Sequence, residues 1–535
     1  MSYQGMIATI PLGSGGILSD YPDTVVPLLK VARASNVTLN NNVMEKDFGN
    51  KKWNQTAFAD SVKAFFDYWP TADFQRLLAV CGNGKVYKLN HAYMTPFEVT
   101  PLSVSEPVTI LTNGQVYIAE GGAEEEGDLK KAFIFTGQDI VQVITGDLNV
   151  RHNISLPPAD WTGRNQPTKG IIHRGRMVSF LKHRLYFSSS TDHEDFTTSP
   201  LQQSVYPGEG VGISDIFVFK TKLFILKFPF GLYAMDDSDS DITKWTVNKV
   251  IGDFGGASVF CGAPVLDDYL IANNFGTLTS LQATLALGDV ISADVFNSIK
   301  ASKFIHKQFK PSSGNARHVL YSPIDRILYV TYEKKGYNFK NAIVQVNFRT
   351  PQPEITLNEK NEPNCLGMIR NIYNVGTPYF GASDGFIYSM DSVNRNNGGV
   401  AYRSEVVTHD MDFASGDQIN AENQKQFDFV EVVYVPTGQV ELGVIAYVDG
   451  RMVQDSFITL AGEPNSQLDV MVLDSSDVNL KAKTSAECPF SERIPMQAQG
   501  RRISIKLYNE GLDENFKILK INVYYKMLEQ QQTRK

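Results

Sequence analysis

The residues whose types and spacing could do chemistry form two short acidic clusters, and the first is the run DDSDSD at positions 236–241. Its carboxylates at alternate positions resemble the first half of a calcium-binding loop. Counted from Asp237, however, Ile242 stands where such a loop needs Gly, and Asn248 stands where it needs Glu. We interpret the run as a polar loop between two blades of a β-propeller, the fold that the strand pattern below predicts. A calcium site is the alternative.

The second cluster, TDHEDF at positions 191–196, places His193 beside carboxylates that could serve as an acid–base pair or as metal ligands. Neighbouring side chains of an extended segment point to opposite sides, so these groups would not converge on one substrate or ion. A turn in which the Asp192 side chain bonds its own backbone is the favoured interpretation.

Motifs of the common enzyme classes are missing from the sequence. It contains no HExxH, no P-loop and no GxGxxG that opens a helix. The glycines at positions 13–16 have no strand before them and no Lys-Ser or Lys-Thr after them, which favours a flexible arm. The sequence therefore predicts no catalytic, cofactor-binding or metal-binding residue, and a protein that is not an enzyme.

The four cysteines are widely separated, without CxxC or another metal-binding spacing, at positions Cys81, Cys261, Cys365 and Cys488. They are interpreted as buried free thiols of a protein that folds in a reducing compartment. The net charge is -8, which disfavours a protein that grips nucleic acid in a groove. An acidic protein can still surround DNA, because like charge keeps the polymer mobile.

Length and hydropathy set the general class of the chain. At 535 residues it is too long for one ordinary core, so two or three domains or one large repeat array are expected. The N-terminus lacks a basic segment followed by an apolar one, and no window of about 18 apolar residues occurs. We expect a soluble protein that is neither secreted by the general pathway nor membrane-spanning.

The elements that must position these residues are short apolar strands, seen most clearly in residues 213–236, ISDIFVFKTKLFILKFPFGLYAMD. Two apolar runs flank a polar turn at positions 220–222, and Pro229-Phe230-Gly231 breaks the pattern before a third run. Strands this short and apolar must be covered on both faces, as in a propeller blade or a barrel.

A turn with Gly followed by alternating apolar residues recurs along residues 51–400, at positions 82–89, 113–118, 230–235, 275–281 and 384–390. Steps of about 40–50 residues with four short strands each are typical of propeller blades. The sequence therefore predicts an all-β protein with a propeller of about six to eight blades at 51–400. Residues 292–306 are predicted as a short helix on a blade edge, and residues 57–69 as either a helix or the first strand.

The two ends of the chain differ from this pattern. Residues 1–50 are rich in Gly, Pro and Asn, which suggests an extended arm that packs on other surfaces without a core of its own. Residues 401–535 contain longer alternating strands and an Asp449-Gly450 hairpin turn, which indicates an antiparallel β-sandwich that ends in a frayed tail.

Taken in order, several of these segments resemble the tail-hub or nozzle proteins of short-tailed bacteriophages, a family also called tail tubular protein B or phage stabilisation protein. The N-terminal motif of that family is matched by Gly15, Gly16, Ser19, Asp20, Pro22, Pro27, Ala34, Ser35, Asn36, Val37, Glu45, Lys46 and Gly49. Residues 183–196 resemble its R-L-Y-x-S … P-E-x-W element, although the Pro is absent and Phe196 replaces the Trp. Residues 212–235 are similar to its strand–turn–strand with a G-x-Y hairpin, and residues 425–451 to its C-terminal module.

The resemblance implies a virion protein that is made in the host cytoplasm and forms a homo-hexameric ring below the portal and adaptor. Such a ring would let the genome leave without sequence-specific contacts and would anchor tail fibres or a needle. A long-tailed particle with a related channel protein is also compatible with it. Two other classes stay open: a generic propeller scaffold that binds partners or carbohydrate, and a propeller enzyme such as a glycosidase or lyase, which needs converging carboxylates about 5–10 Å apart.

Overall fold

The computed structural model describes residues 5–12, 15–20, 27–40, 43–71, 73–90, 95–104, 106–122, 129–146, 149–197, 201–209, 212–288, 293–311, 317–350, 352–371, 373–413, 423–461 and 489–528. Strands form most of these residues, and the all-β fold class with a β-propeller is confirmed. No helix in these ranges has the length and apolar character that crossing a membrane requires.

The first four blades each consist of an antiparallel sheet, in which apolar inner strands are followed by a more polar outer strand. Blade 1 contains β6 (Val62–Thr71), β7 (Phe74–Cys81), β8 (Val86–Leu89) and β9 (Phe97–Glu98). Blade 2 contains β11 (Tyr117–Gly121), β12 (Lys131–Phe135), β13 (Gln142–Thr145) and β14 (Val150–Asn153), with β10 (Thr100–Pro101) added in parallel at its outer edge. Blade 3 contains β15 (Gly170–His173), β16 (Arg176–Leu181), β17 (Arg184–Phe187) and β18 (Leu201–Ser204), and blade 4 contains β19 (Ile213–Phe219), β20 (Lys222–Lys227), β21 (Leu232–Asp236) and β22 (Thr246–Ile251).

Blades 5 to 7 depart from this pattern at their outer edges. Blade 5 has three strands, β23 (Gly262–Val265), β24 (Asp268–Ala272) and β25 (Leu278–Ser280), followed by α1 (Leu281–Leu287), α2 (Val295–Ser298) and α3 (Ser302–Gln308). Blade 6 contains β26 (Val319–Ser322), β27 (Ile327–Tyr332), β28 (Ala342–Asn347) and β29 (Glu354–Asn358). Blade 7 contains β30 (Cys365–Arg370), β31 (Gly376–Gly381), β32 (Ile387–Ser392) and, from the N-terminal part of the chain, β5 (Gly49–Lys52).

The seven sheets close into a ring around one axis. Their innermost strands contact each other from β6 to β19 and from β23 to β30, and β30 contacts β6. Between blades 4 and 5, the rings of Phe217 and Tyr269 stack 4.0 Å apart. Because β5 precedes β6 in the chain and pairs with β32 of the last blade, the two ends of the propeller segment are joined in blade 7.

The sandwich continues the sheet of blade 6. Beyond β29 that sheet runs through β2 (Val31–Ser35), β33 (Ser404–Thr408), β38 (Ile503–Asn509) and β35 (Val440–Val448) to β36 (Arg451–Leu460). The opposing sheet contains β3 (Val37–Asn40), β4 (Val43–Lys46), β39 (Lys517–Met527), β34 (Lys425–Val435) and β37 (Phe490–Gly500), with β1 (Met6–Pro11) paired to β39. One apolar core extends from blades 5 and 6 into the sandwich.

The structure adds detail to three predictions about individual segments. In the described part of residues 1–50, predicted as an extended arm that packs on other surfaces, the chain forms β1 to β5, and β1, β2, β4 and β5 pair with strands of other sheets. The helix predicted at 292–306 is two helices, since Lys300 adopts a left-handed φ of 59° between them. The segment 57–69, left open between helix and strand, leads into β6. Residues 529–535, predicted as a frayed tail, lie outside the described residues.

Gly49 gives a direct test of the ring closure. A Cβ atom at this position would lie 1.8 Å from the carbonyl oxygen of Asn394 and 2.5 Å from that of Asn396, so β5 could not keep its place beside β32. We expect Gly49→Ala to lower the free energy of unfolding by about 1–3 kcal/mol, as overpacking does. Urea denaturation followed by circular dichroism measures the change.

The matched control is Gly208→Ala, because a Cβ atom there meets no atom within 4 Å. Its unfolding midpoint should equal that of the unsubstituted chain. Equal midpoints for both variants would contradict the closure through β5.

Candidate functional site

The acidic run at 236–241 does not bring its carboxylates together. Asp237 is buried and receives hydrogen bonds from His173 Nε2 at 2.5 Å and Arg174 Nε at 3.2 Å. Asp239 and Asp241 accept from backbone amides two residues ahead, at 2.9 and 3.0 Å. Within the described ranges, no group of three or more His, Cys, Asp or Glu side chains could hold a metal ion.

The placement of this run between blades was wrong. It joins β21 to β22 inside blade 4. The fourth strand, TVNKVI, has three polar residues and no buried one, so its apolar pattern is weaker than that of the three strands before it.

The cluster at 191–196 likewise separates its polar groups. Asp192 Oδ1 accepts from the Glu194 amide at 2.9 Å, which is a side-chain turn of the predicted kind. Glu194 itself turns toward blade 2, where its carboxylate lies 3.0 Å from His152 Nε2 and accepts from Ser155 Oγ at 2.7 Å. The cluster thus braces blade 3 against blade 2.

The contacts of Glu194 with His152 and Ser155, which we call the brace, shift two pKa values. Burial raises the pKa of Glu194, but the hydrogen bonds from His152 and Ser155 and the charge of Lys131 outweigh it, so the pKa falls to about 2. The hydrogen bond to Glu194 raises the pKa of His152, against the effect of its partial burial.

A layer of side chains crosses the propeller axis at the starts of the inner strands of blades 2 to 6. The rings of Tyr117 and Phe260 lie 5.4 Å apart, and Phe260 stacks on His318 at 4.1 Å with an interplanar angle of 13°. Beside them, Lys169 Nζ donates to Asp215 Oδ1 at 2.7 Å and lies 4.8 Å from the centre of the Tyr117 ring. We call these five residues the axial layer.

The charges in the axial layer are deeply buried. Burial raises the pKa of Asp215 to about 6, and the nearby Lys169 ammonium keeps the carboxyl ionised at neutral pH. Burial lowers the pKa of His318 well below its usual value, so the imidazole is neutral. His318 Nδ1 accepts a hydrogen bond from the Leu366 amide at 3.3 Å.

A cavity of about 330 Å³ adjoins the axial layer and is lined by the inner strands of blades 1, 2 and 7. Its one carboxylate, Asp67, is fully engaged: it accepts from the Arg370 amide at 3.0 Å, from Arg370 Nε at 2.8 Å and from Trp69 Nε1 at 3.0 Å. Asp67 and Asp215 are thus each neutralised by a cation.

A third polar site lies where the N-terminal strands meet blade 6 and the sandwich, and we call it the junction. Asp47 accepts from Lys360 Nζ at 2.7 Å, and the two side chains are only 6% and 1% exposed. Thr38 Oγ1 donates to the same carboxylate at 2.9 Å, and the Tyr402 hydroxyl donates to the Asp47 carbonyl oxygen. Lys360 outweighs the effect of burial, so the pKa of Asp47 is lowered.

Lys46 extends the junction into the sandwich. Its Nζ donates to Asn509 Oδ1 at 2.9 Å and to the Gly511 carbonyl oxygen at 2.7 Å. Lys46 and Lys360 lie 4.6 and 4.7 Å from the centre of the Tyr402 ring, so the aromatic ring is flanked by two ammonium groups. Burial lowers the pKa of Lys46 to about 8.

Sequence reasoning missed the partners in the buried ion pairs Lys169–Asp215 and Lys360–Asp47. Asp215 interrupts the apolar run ISDIFVF, and a carboxylate in a strand that must be covered on both faces needs a cation. That signal could have indicated Asp215. Nothing local indicates Lys360, because its partner is 313 positions away.

Comparisons with known proteins give structural similarity only. No protein-family model matches the chain, and neither does any curated protein sequence. Among solved structures, YCF48 from Cyanidioschyzon merolae is 8% identical with a TM-score of 0.37, covering 64% of this chain and 98% of that one. The chain is also similar to BBS1N, solved in complex with ARL6DN, at 10% identity and a TM-score of 0.39, covering 64% of this chain and 96% of that one. The class that the sheets define is a β-propeller joined to a β-sandwich.

The brace between blades 2 and 3 predicts a pH dependence of stability. Glu194 has a lowered folded pKa, so its contribution is present above pH 4.5 and is lost as the pH falls toward 2. His152 has a raised folded pKa, so its contribution is present below pH 6.5 and is lost as the pH rises through the folded value. Glu194→Gln should therefore destabilise most between these limits, by about 2 kcal/mol.

Urea unfolding of the Glu194→Gln variant and of the unsubstituted chain from pH 3 to pH 8 measures the difference in their free energies of unfolding. Glu362→Gln is the control, because Glu362 is exposed and its side chain contacts no charged group among the described residues. If Glu194→Gln lowered the free energy of unfolding by the same amount at every pH, the shifted pKa values of Glu194 and His152 would be contradicted.

The junction predicts strong coupling between Asp47 and Lys360. Removing either partner leaves a buried charge uncompensated, which costs about 3–5 kcal/mol. In a double-mutant cycle of Asp47→Ala and Lys360→Ala, we expect a coupling energy of at least about 2 kcal/mol.

The exposed pair Arg403–Glu510 provides the control cycle, since its side chains are 44% and 57% exposed. Its coupling should stay below about 1 kcal/mol. Similar coupling energies for the two pairs would show that the junction is not a special contact.

Proposed function

We propose that the chain is a non-catalytic structural subunit and, within that class, the tail-hub or nozzle protein of a bacteriophage. The observation that carries this proposal concerns the residues that match the N-terminal motif of that family. Among the described ones, Asn36 and Lys46 join the propeller to the sandwich, so the likeness includes the part of the chain that connects the two modules.

Asn36 shows how closely the motif residues serve the junction. It adopts a left-handed φ of 54°, which Asn tolerates better than most residues. Its side chain donates to the Arg403 carbonyl oxygen at 2.7 Å and accepts from the amides of Glu359 and Lys360 at 2.7 and 3.1 Å. A single side chain thus ties the end of blade 6 to the beginning of the sandwich.

Gly16, another motif residue, is needed for close approach to blade 6. Its φ is 61°, and a Cβ atom there would lie 2.8 Å from the Ile355 amide nitrogen. Rigid attachment of this kind suits a subunit that must hold its neighbours at fixed angles in a ring.

In the proposed ring, the axial layer limits where DNA could pass. Because side chains from blades 2 to 6 cross the propeller axis, the genome would not pass through the propeller of one subunit. In the proposed hexamer, the channel lies between the six copies around the ring axis. A net charge of -8 per copy disfavours tight phosphate binding there, so DNA can slide.

A generic propeller scaffold is the second candidate, and one surface favours it. The inner strands all run in the same direction along the axis, so the hairpins that follow them share one face of the propeller. These hairpins expose large apolar side chains, with exposed fractions of 50% for Phe74, 64% for Leu266, 56% for Ile324 and 79% for Tyr373. Such a face suits contact with another protein.

The oligomeric state tests the proposal. Purified alone, the protein should be monomeric or weakly associated, because the ring is expected to form only on the head-to-tail connector. Mass photometry with and without a purified connector ring should show six copies bound per connector. A tight dimer of the protein alone, or no binding to the connector, would contradict the tail-hub assignment and leave the generic scaffold.

A further inference from the structure

The cavity beside the axial layer has the properties of a small-molecule site. Its volume of about 330 Å³ lies within the range of known ligand pockets, about 300–1,000 Å³. Most of its wall is apolar or aromatic, with Phe66, Ile118, Leu366 and Met368 from three different blades. Residues from several blades therefore meet around a space that their own side chains leave unfilled.

His318 gives this cavity a hydrogen-bond donor. A neutral imidazole carries one proton, and Nδ1 accepts from the Leu366 amide, so the proton must lie on Nε2. Nε2 donates to no residue that the structure describes, and His318 lines the cavity. The ring itself is fixed by stacking on Phe260 at 4.1 Å.

Arg370 also lines the cavity, and its guanidinium is held by Asp67. Its Nε and Nη2 donate to the carboxylate and the carbonyl oxygen of Asp67, at 2.8 and 3.2 Å. The Asp67 carboxylate is therefore not available to a cationic ligand. Besides Tyr117 and Cys365, the polar side chains that remain in the lining are His318 and Arg370, which carry N–H donors within an apolar wall.

From this arrangement, we propose that the cavity beside the axial layer binds a small, uncharged aromatic molecule that carries an oxygen acceptor. The aromatic group would occupy the apolar part of the cavity, and the oxygen would accept from His318 Nε2. A cationic ligand is disfavoured, because the donors and Arg370 would oppose it. The site involves one chain only, so it does not depend on the ring proposed above.

Acetophenone and ethylbenzene are the probes that test the proposal, because they share an aromatic ring and differ in the carbonyl oxygen. Isothermal titration calorimetry of the full-length protein should show one saturable site for both. The carbonyl compound should bind about fivefold more tightly, as one hydrogen bond provides. Benzylammonium should not bind.

Two variants locate the binding. Leu366→Trp adds bulk to the cavity wall and should abolish binding of both probes, whereas Leu102→Trp, at a residue that is 65% exposed, should leave it unchanged. His318→Phe keeps a ring for stacking on Phe260 but removes the donor. It should weaken acetophenone about fivefold and leave ethylbenzene unchanged, and His306→Phe on an exposed part of α3 is its control.

Three results would overturn the proposal. The first is no saturable binding of either probe at millimolar concentration. The second is binding that persists in Leu366→Trp, and the third is an equal loss of both probes in His318→Phe. If Leu366→Trp unfolds, as judged by circular dichroism, the His318→Phe comparison alone decides between the outcomes.

Discussion

The structure depends on a buried ion pair between Asp47 and Lys360, because this contact holds the N-terminal strands against blade 6. A carboxylate removed from water at this depth needs both a cation and hydrogen-bond donors. Lys360 supplies the charge, and Thr38, Gln345 and Asn358 supply hydrogen bonds to the carboxylate. Asp47 lies between β4 in the sandwich and β5 in blade 7, so these contacts hold the chain on its course from one module to the other.

This course explains why the two modules share a sheet and a core. β2 pairs with β29 of blade 6 on one side and with β33 of the sandwich on the other, so a single sheet of nine strands crosses the boundary. The largest apolar cluster contains Phe304 from the helices of blade 5 and Val523 from the last strand of the sandwich. An N-terminal segment that lacks a core of its own therefore completes the cores of both modules.

The sequence was sufficient for the fold class, since the apolar hairpin at 213–236 is the blade 4 element that its pattern predicts. It was insufficient where a strand is polar or pairs with a strand that is far away in the sequence. β5 has the sequence GNKK, which has no strand-like alternation, and its partner β32 begins at Ile387. The side chains that fill the axis could not be predicted either, because Phe260 and His318 lie outside regular strands and meet only when the ring closes.

The central claim is that propeller and sandwich form one cooperative body through the junction. Hydrogen exchange during urea titration, read by mass spectrometry on strands of both modules, tests this most directly. We expect β7 in blade 1 and β34 in the sandwich to lose protection at the same urea concentration, in one global transition. Loss of protection in the sandwich at clearly lower urea, with the propeller still protected, would contradict it.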